Sequence, residues 1–145
     1  MFVGAADPGN PSAVSEENIA HWRETGVVEV LGHVDDMPRL MRTVDLVVLP
    51  NSREGIPKGL IEVAAMGLPI VATDAPGCRD VVDDGINGFL VPVGDVAALS
   101  AKIADLLVAP DMCRQLGRAG RKKVLEEFDE RIVFQKTHAC REAGA

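Results

Sequence analysis

At 145 residues, 47% of them apolar and 26% charged, the chain is one domain by length and able to bury a core without metal or disulfide staples. Its formal net charge of −7 argues against a general nucleic-acid binder. No apolar run approaches the roughly 20 residues a membrane helix needs, and the first residues show no signal-peptide pattern.

Short β-rich runs alternate with helical segments along the chain. Residues 1–4 read as the end of a strand, followed by the turn-rich Asp7-Pro8-Gly9-Asn10-Pro11. A helix is predicted over 15–24, stopped by Gly26, then a strand over 27–31 closed by Gly32. Residues 36–43 read as a short helix and 45–49 as a third strand ending at Pro50. A helix over 57–66 comes next, with Pro57 suited to its first turn and Gly67 just past its end. The fourth strand is 69–73, a short helix 77–82, and the fifth strand 89–91, after the turn signals Asp84-Gly85 and Asn87-Gly88. Asp95 is predicted to cap a helix reaching about residue 108, Asp111 to cap the next, and a last helix to run from about residue 130 to the end.

Strands separated by helices point to a parallel sheet covered on both faces, and the nearly unbroken apolar strands agree. The expected fold is therefore a doubly wound, Rossmann-like α/β domain over residues 1–145. The first residue falls inside an apparent strand, which predicts an upstream element. Cys78, Cys113 and Cys140 are odd in number and far apart, which suits reduced thiols rather than a disulfide framework or a zinc site. His21, His33 and His138 show no metal-ligand spacing either. The basic run Arg114, Arg118, Arg121, Lys122 and Lys123 reads as a solvated helix face, with contact to acidic lipid as its alternative. Trp22 reads as core or contact surface.

Ligands of open α/β sheets sit beyond the carboxyl ends of strands. The richest such stretch here is Leu49-Pro50-Asn51-Ser52-Arg53-Glu54-Gly55-Ile56-Pro57-Lys58-Gly59-Leu60-Ile61-Glu62. Gly55 and Gly59 let backbone approach a ligand, and unpaired N–H groups of a helix's first turn suit a phosphate or diphosphate. Glu54 and Glu62 frame that end. Helical side chains tilt back toward the amino end, so Glu62 leans toward the first turn. Two carboxylates, which accept from vicinal hydroxyls, beside a diphosphate cradle suit a nucleotide sugar.

The order Glu54-Gly55-x-Pro57…Glu62, then Met66-Gly67-Leu68-Pro69-Ile70-Val71-Ala72-Thr73-Asp74, resembles the signature of GT4-like retaining glycosyltransferases of GT-B fold. The likeness continues through Asp74-Ala75-Pro76-Gly77-Cys78-Arg79-Asp80-Val81-Val82 and Asp84-Gly85-Ile86-Asn87-Gly88-Phe89-Leu90-Val91-Pro92. It implies the C-terminal, donor-binding half of such an enzyme. By position it implies that Glu54 is the catalytic-site acid at the transferred sugar, with Gly55 and Ile56 amides beside it. It further implies Gly59 and Leu60 amides on the diphosphate, Glu62 on the ribose, and His33 and Val34, in the loop after the second strand, against the base. No metal is implied; the donor is a nucleotide sugar, with UDP as the leading base, and the acceptor a glycan or a lipid-linked sugar. A cytoplasmic location, with peripheral contact at the inner membrane face, goes with such acceptors. Val63 departs mildly from the small Ala usual after the second Glu. The family's phosphate-clamping Arg and Lys, and its N-terminal acceptor domain with a histidine near the reacting centre, have no counterpart in these 145 residues. The rival readings are a non-catalytic nucleotide-binding module, one subunit of a two-chain transferase, and an epimerase or phosphorylase of the same architecture.

Overall fold

The computed structural model describes residues 1–4, 14–50 and 57–128. Their elements are β1 (Phe2–Val3), α1 (Glu16–Thr25), β2 (Val30–Gly32), α2 (Met37–Met41), β3 (Val47–Leu49), α3 (Lys58–Ala65), β4 (Ile70–Thr73), α4 (Pro76–Val81), β5 (Gly88–Val91), α5 (Val96–Leu107) and α6 (Pro110–Glu127). The predicted last helix lies outside the described residues. Two compact units emerge, residues 1–40 and 41–145, and the division falls inside α2, with no linker-like composition there.

In the first unit β1 and β2 pair in parallel, Phe2 opposite Val30. The expected stop and start signals operate on α1. The Ser15 hydroxyl accepts the Asn18 N–H at 3.2 Å, Glu16 and Glu17 sit on the positive end of the helix dipole, and Gly26 ends the helix at φ 65°. Ile19 is buried, and Trp22 meets the Phe2 ring edge-on with centroids 5.6 Å apart.

In the second unit β3, β4 and β5 form a parallel sheet in that order, with β4 central. A central strand buried on both faces must be apolar throughout, and β4 is: Ile70, Val71 and Ala72 have no exposed surface and Thr73 only 4%. Val71 packs with Val91 of β5, Leu106 of α5 and Leu116 of α6. Asp95 caps α5 as expected, accepting the Ala98 N–H at 2.9 Å. Asp111 does not cap α6. Pro110, which has no N–H to satisfy, takes the first helical position behind Ala109, and Asp111 falls within the first turn, paired with Arg114.

Helix α6 lies against α3 at backbone distance. A methyl group on Gly117 would stand 1.9 Å from the Gly67 carbonyl oxygen, and one on Gly120 would meet Ala64 at 3.6 Å. Arg121 donates to the Ala65 carbonyl, and Lys123, largely buried, reaches Asp83 at 2.8 Å. Arg114 pairs with Asp111 and Lys122 approaches Glu126, so four of the five bases of the run engage groups within the protein. Asn87, 1% exposed, accepts the Asp83 N–H and donates to the Val81 carbonyl, fixing the turn before β5. Cys78 is buried, and the Cys113 thiol donates to the Leu106 carbonyl. Burial pushes the Cys113 thiol pKa up, which keeps it from acting as a thiolate.

Candidate functional site

The amino end of α3 lies just past the carboxyl end of β3, the position where open parallel sheets take their ligands. Pro57 occupies the cap position at φ −75° and ψ 111°, so it stands just before the helix rather than in its first turn. It has no N–H and supplies no side-chain cap. Its carbonyl accepts the N–H groups of Leu60 at 2.9 Å and Ile61 at 3.4 Å. The Leu60 amide is therefore occupied. Those of Lys58 and Gly59 carry no partner among the described residues.

The faces of α3 are sharply divided. Leu60, Val63 and Ala64 are buried, while Lys58, Gly59 and Glu62 are exposed. Gly59 and Glu62, three apart, share one side of the helix. No atom of the described residues stands within 4 Å of where a Gly59 methyl would be. The result is a ledge: two amides with no partner among the described residues, a positive helix end and a carboxylate one turn behind. Glu54, Gly55 and Ile56, the other residues of the expected cradle, lie outside the described residues.

In the first unit, His33 comes after β2 and Gly32, whose φ is 68°. The His33 Nε2 stands 3.2 Å from an Asp35 carboxylate oxygen, both side chains almost fully exposed, and Val34 beside them is half-buried.

The sequence leaves Arg79 either facing the ligand crevice or capping its own turn, and does not assign Asp74 to it as a partner. Asp74 emerges from the carboxyl end of β4, and Arg79 of α4 reaches back so that its Nε donates to Asp74 Oδ1 at 2.5 Å. The hydrogen bond and charge of Arg79 hold the Asp74 carboxyl below its ordinary pKa, and Asp74 in turn raises that of Arg79. No grouping of three or more His, Cys, Asp or Glu suited to a metal ion occurs among the described residues. No helix among them is long and apolar enough to cross a membrane. A cavity of about 480 Å³ opens elsewhere, at the amino ends of β3 and β4, lined by Leu46, Leu68, Pro69, Leu107 and Cys113 among others. Its place at the opposite end of the sheet sets it apart from the α3 ledge.

Residues 1–108 match the family described as "Glycosyl transferases group 1". The chain belongs to the group 1 glycosyl transferases. Among relatives, the putative glycosyltransferase EpsD of Bacillus subtilis is 38% identical over 102 residues, 70% of this chain and 27% of that protein. The N,N'-diacetylbacillosaminyl-diphospho-undecaprenol alpha-1,3-N-acetylgalactosaminyltransferase of Campylobacter jejuni is 31% identical over 136 residues, 94% of this chain and 35% of that protein. The chain thus spans between about a quarter and about a third of the length of these relatives. The crystal structure of Anabaena HepE in complex with UDP is similar at a TM-score of 0.84 and 26% identity, over 97% of this chain and 40% of that one. The likeness to GT-B glycosyltransferase structures bears out the Rossmann-like α/β fold expected for a C-terminal half.

Proposed function

We propose that this chain is the donor-binding half of a GT4-type retaining glycosyltransferase, taking a nucleotide sugar, with UDP as the base, and passing its hexose or N-acetylhexosamine to a glycan or lipid-linked acceptor. The observation that carries this reading is the open amino end of α3, where the Lys58 and Gly59 amides and the Glu62 carboxylate share one accessible ledge. A diphosphate takes the amides and the positive helix end. Glu62 accepts from the ribose hydroxyls, Glu54 meets the sugar near the reacting carbon with the Gly55 and Ile56 amides, and the His33–Val34 loop lines the base. Similar structures hold UDP and UDP-glucose, which supports the choice of donor.

Charge developing on the leaving diphosphate is met by oriented N–H dipoles in this scheme, with no metal assigned a role. The sugar is attacked on the face its leaving group departs from, which accounts for retention, and Glu54 acts on the sugar without forming a bond to it. The remainder of the enzyme supplies the acceptor site and further phosphate-binding bases, and the reaction is assigned to the cytoplasm, with lipid-linked acceptors met at the inner membrane face.

Calorimetric or NMR titration of the chain with UDP, GDP and ADP tests the reading. Saturable binding with UDP tightest is the expected result. A folded chain indifferent to all three diphosphates overturns it.

A further inference from the structure

Strand β4 ends at Thr73, the most buried strand of the second unit, and the chain leaves it at the same end of the sheet from which β3 leads toward α3. The Thr73 hydroxyl, 3.5 Å from the Leu49 carbonyl, links the two strand ends. The segment from Asp74 to Arg79 is pinned through its backbone. The Asp74 N–H donates to the Val91 carbonyl at 2.7 Å, that of Ala75 to Thr73 at 2.8 Å, and those of Cys78 and Arg79 to Ala75 at 3.0 and 3.1 Å. Ala75, Gly77 and Cys78 are buried. On this frame Asp74 and Arg79 present opposite charges outward, with side chains 43% and 58% exposed.

Arg79 spends Nε on Asp74 Oδ1 and reaches the Asp74 carbonyl with Nη2 at 3.4 Å. Its Nη1 edge, and the second carboxylate oxygen of Asp74, have no partner among the described residues. A donor edge and an acceptor edge therefore stand side by side, each held by the other in one geometry. Fold stability does not account for the pair, because exposed ion pairs contribute little to it. A phosphate does not suit the pair either, since its oxygens only accept and would face the Asp74 carboxylate. A hydroxyl both donates and accepts, so two adjacent hydroxyls on one ring satisfy both edges.

We infer that Asp74 and Arg79 form a subsite for the vicinal hydroxyls of a sugar ring at the carboxyl end of β4. The inference rests on the glycosyltransferase reading and deepens it, because the same ring chemistry comes from two sources: the sugar carried by the nucleotide, or a sugar of the acceptor glycan. The subsite discriminates among sugars by the orientation of adjacent hydroxyls, since one inverted centre breaks one of the two contacts.

The test titrates the chain and its Arg79→Met, Arg79→Lys and Asp74→Asn variants with UDP, UDP-glucose and methyl glucoside. Thermal unfolding serves as a check that each is folded, and the exposed pair predicts nearly unchanged midpoints. All three variants are expected to hold bare UDP as the parent does. Loss of about tenfold in the gain that glucose adds to UDP marks the donor as the source, and a similar loss confined to methyl glucoside marks the acceptor. Arg79→Lys keeps the charge but not the fork, so it should fail like Arg79→Met. Variants matching the parent on both sugar ligands overturn the subsite, as does a parent chain that gains nothing from the sugar and holds no glycoside. A parent that binds methyl glucoside through this pair but no UDP overturns the donor reading and leaves the subsite standing.

Discussion

The two ends of α3 are finished in opposite ways. At the carboxyl end every orphan carbonyl finds a donor: Met66 N–H bonds Glu62, Leu68 bonds Val63, Gly67 bonds Ala64, and Arg121 of α6 takes Ala65. This is a Schellman closure with Gly67 at φ 75°, and α6 presses Gly117 directly onto its backbone. At the amino end Pro57 offers no side-chain cap, two amides have no partner among the described residues, and Lys58, Gly59 and Glu62 are exposed. The closed end supplies stability and fixes the helix axis. Hydrogen-bonding capacity is thereby left for a ligand at the other end.

If that division holds, substitutions at the two ends should separate stability from binding. The largest effect is expected of Gly117→Ala. Its methyl would lie 1.9 Å from backbone that cannot rotate away, so α6 must back off α3. A loss of about 3 kcal/mol, or roughly 10 °C in Tm, should appear in thermal unfolding. A midpoint within a degree or two of the parent would show that the contact is not a constraint. Asn87→Ala comes next. It strands the buried Val81 carbonyl and Asp83 N–H, and chemical denaturation should register about 2 kcal/mol.

The open end should respond with the opposite sign. Gly59→Ala meets nothing within 4 Å and removes a poor helix former, so stability should rise by up to about 1 kcal/mol. UDP binding should weaken at the same time, as the methyl stands over the free amides. Unchanged UDP affinity in that variant would move the diphosphate off the ledge. Glu62→Ala is the mildest for the fold, within about 0.5 kcal/mol, because its side chain is exposed. Its expected signature is weaker UDP binding with an unaltered Tm, and equal affinity would remove Glu62 from the ribose.

Features set by local sequence were legible before the structure. The apolar run of β4, the caps at Ser15 and Asp95, and the left-handed stops at Gly26 and Gly67 each depend on neighbours in the chain. The approximate start of α3 and the exposure of Glu62 were legible for the same reason. Features set by residues far apart were not. Nothing near Lys123 announces Asp83, 40 residues away, and Arg121 meets a carbonyl 56 residues earlier. The basic run of α6 read as a solvated face, and four of its five bases are exposed; the largely buried Lys123 is the departure. Gly117 and Gly120, poor helix formers in mid-helix, carried the one available hint of close packing. Asp111 misled because Pro110 competes for the helix start, and the occupied Leu60 amide depends on the turn geometry at Pro57. Arg79 read equally as facing the ligand crevice or capping its own turn, and its pairing with Asp74, five residues earlier, had no pattern to announce it.

The Gly67–Gly117 contact has a consequence for redesign. Where two helices meet through side chains, their spacing shifts with rotamer and residue volume; where they meet through main chain, that freedom is gone. The α3 axis is thus indexed to α6 by parts that carry no chemical identity. Lys58, Gly59 and Glu62 can be exchanged at the far end without re-registering the helix. A library confined to those three positions would sample new ligand preferences on an unmoved mount.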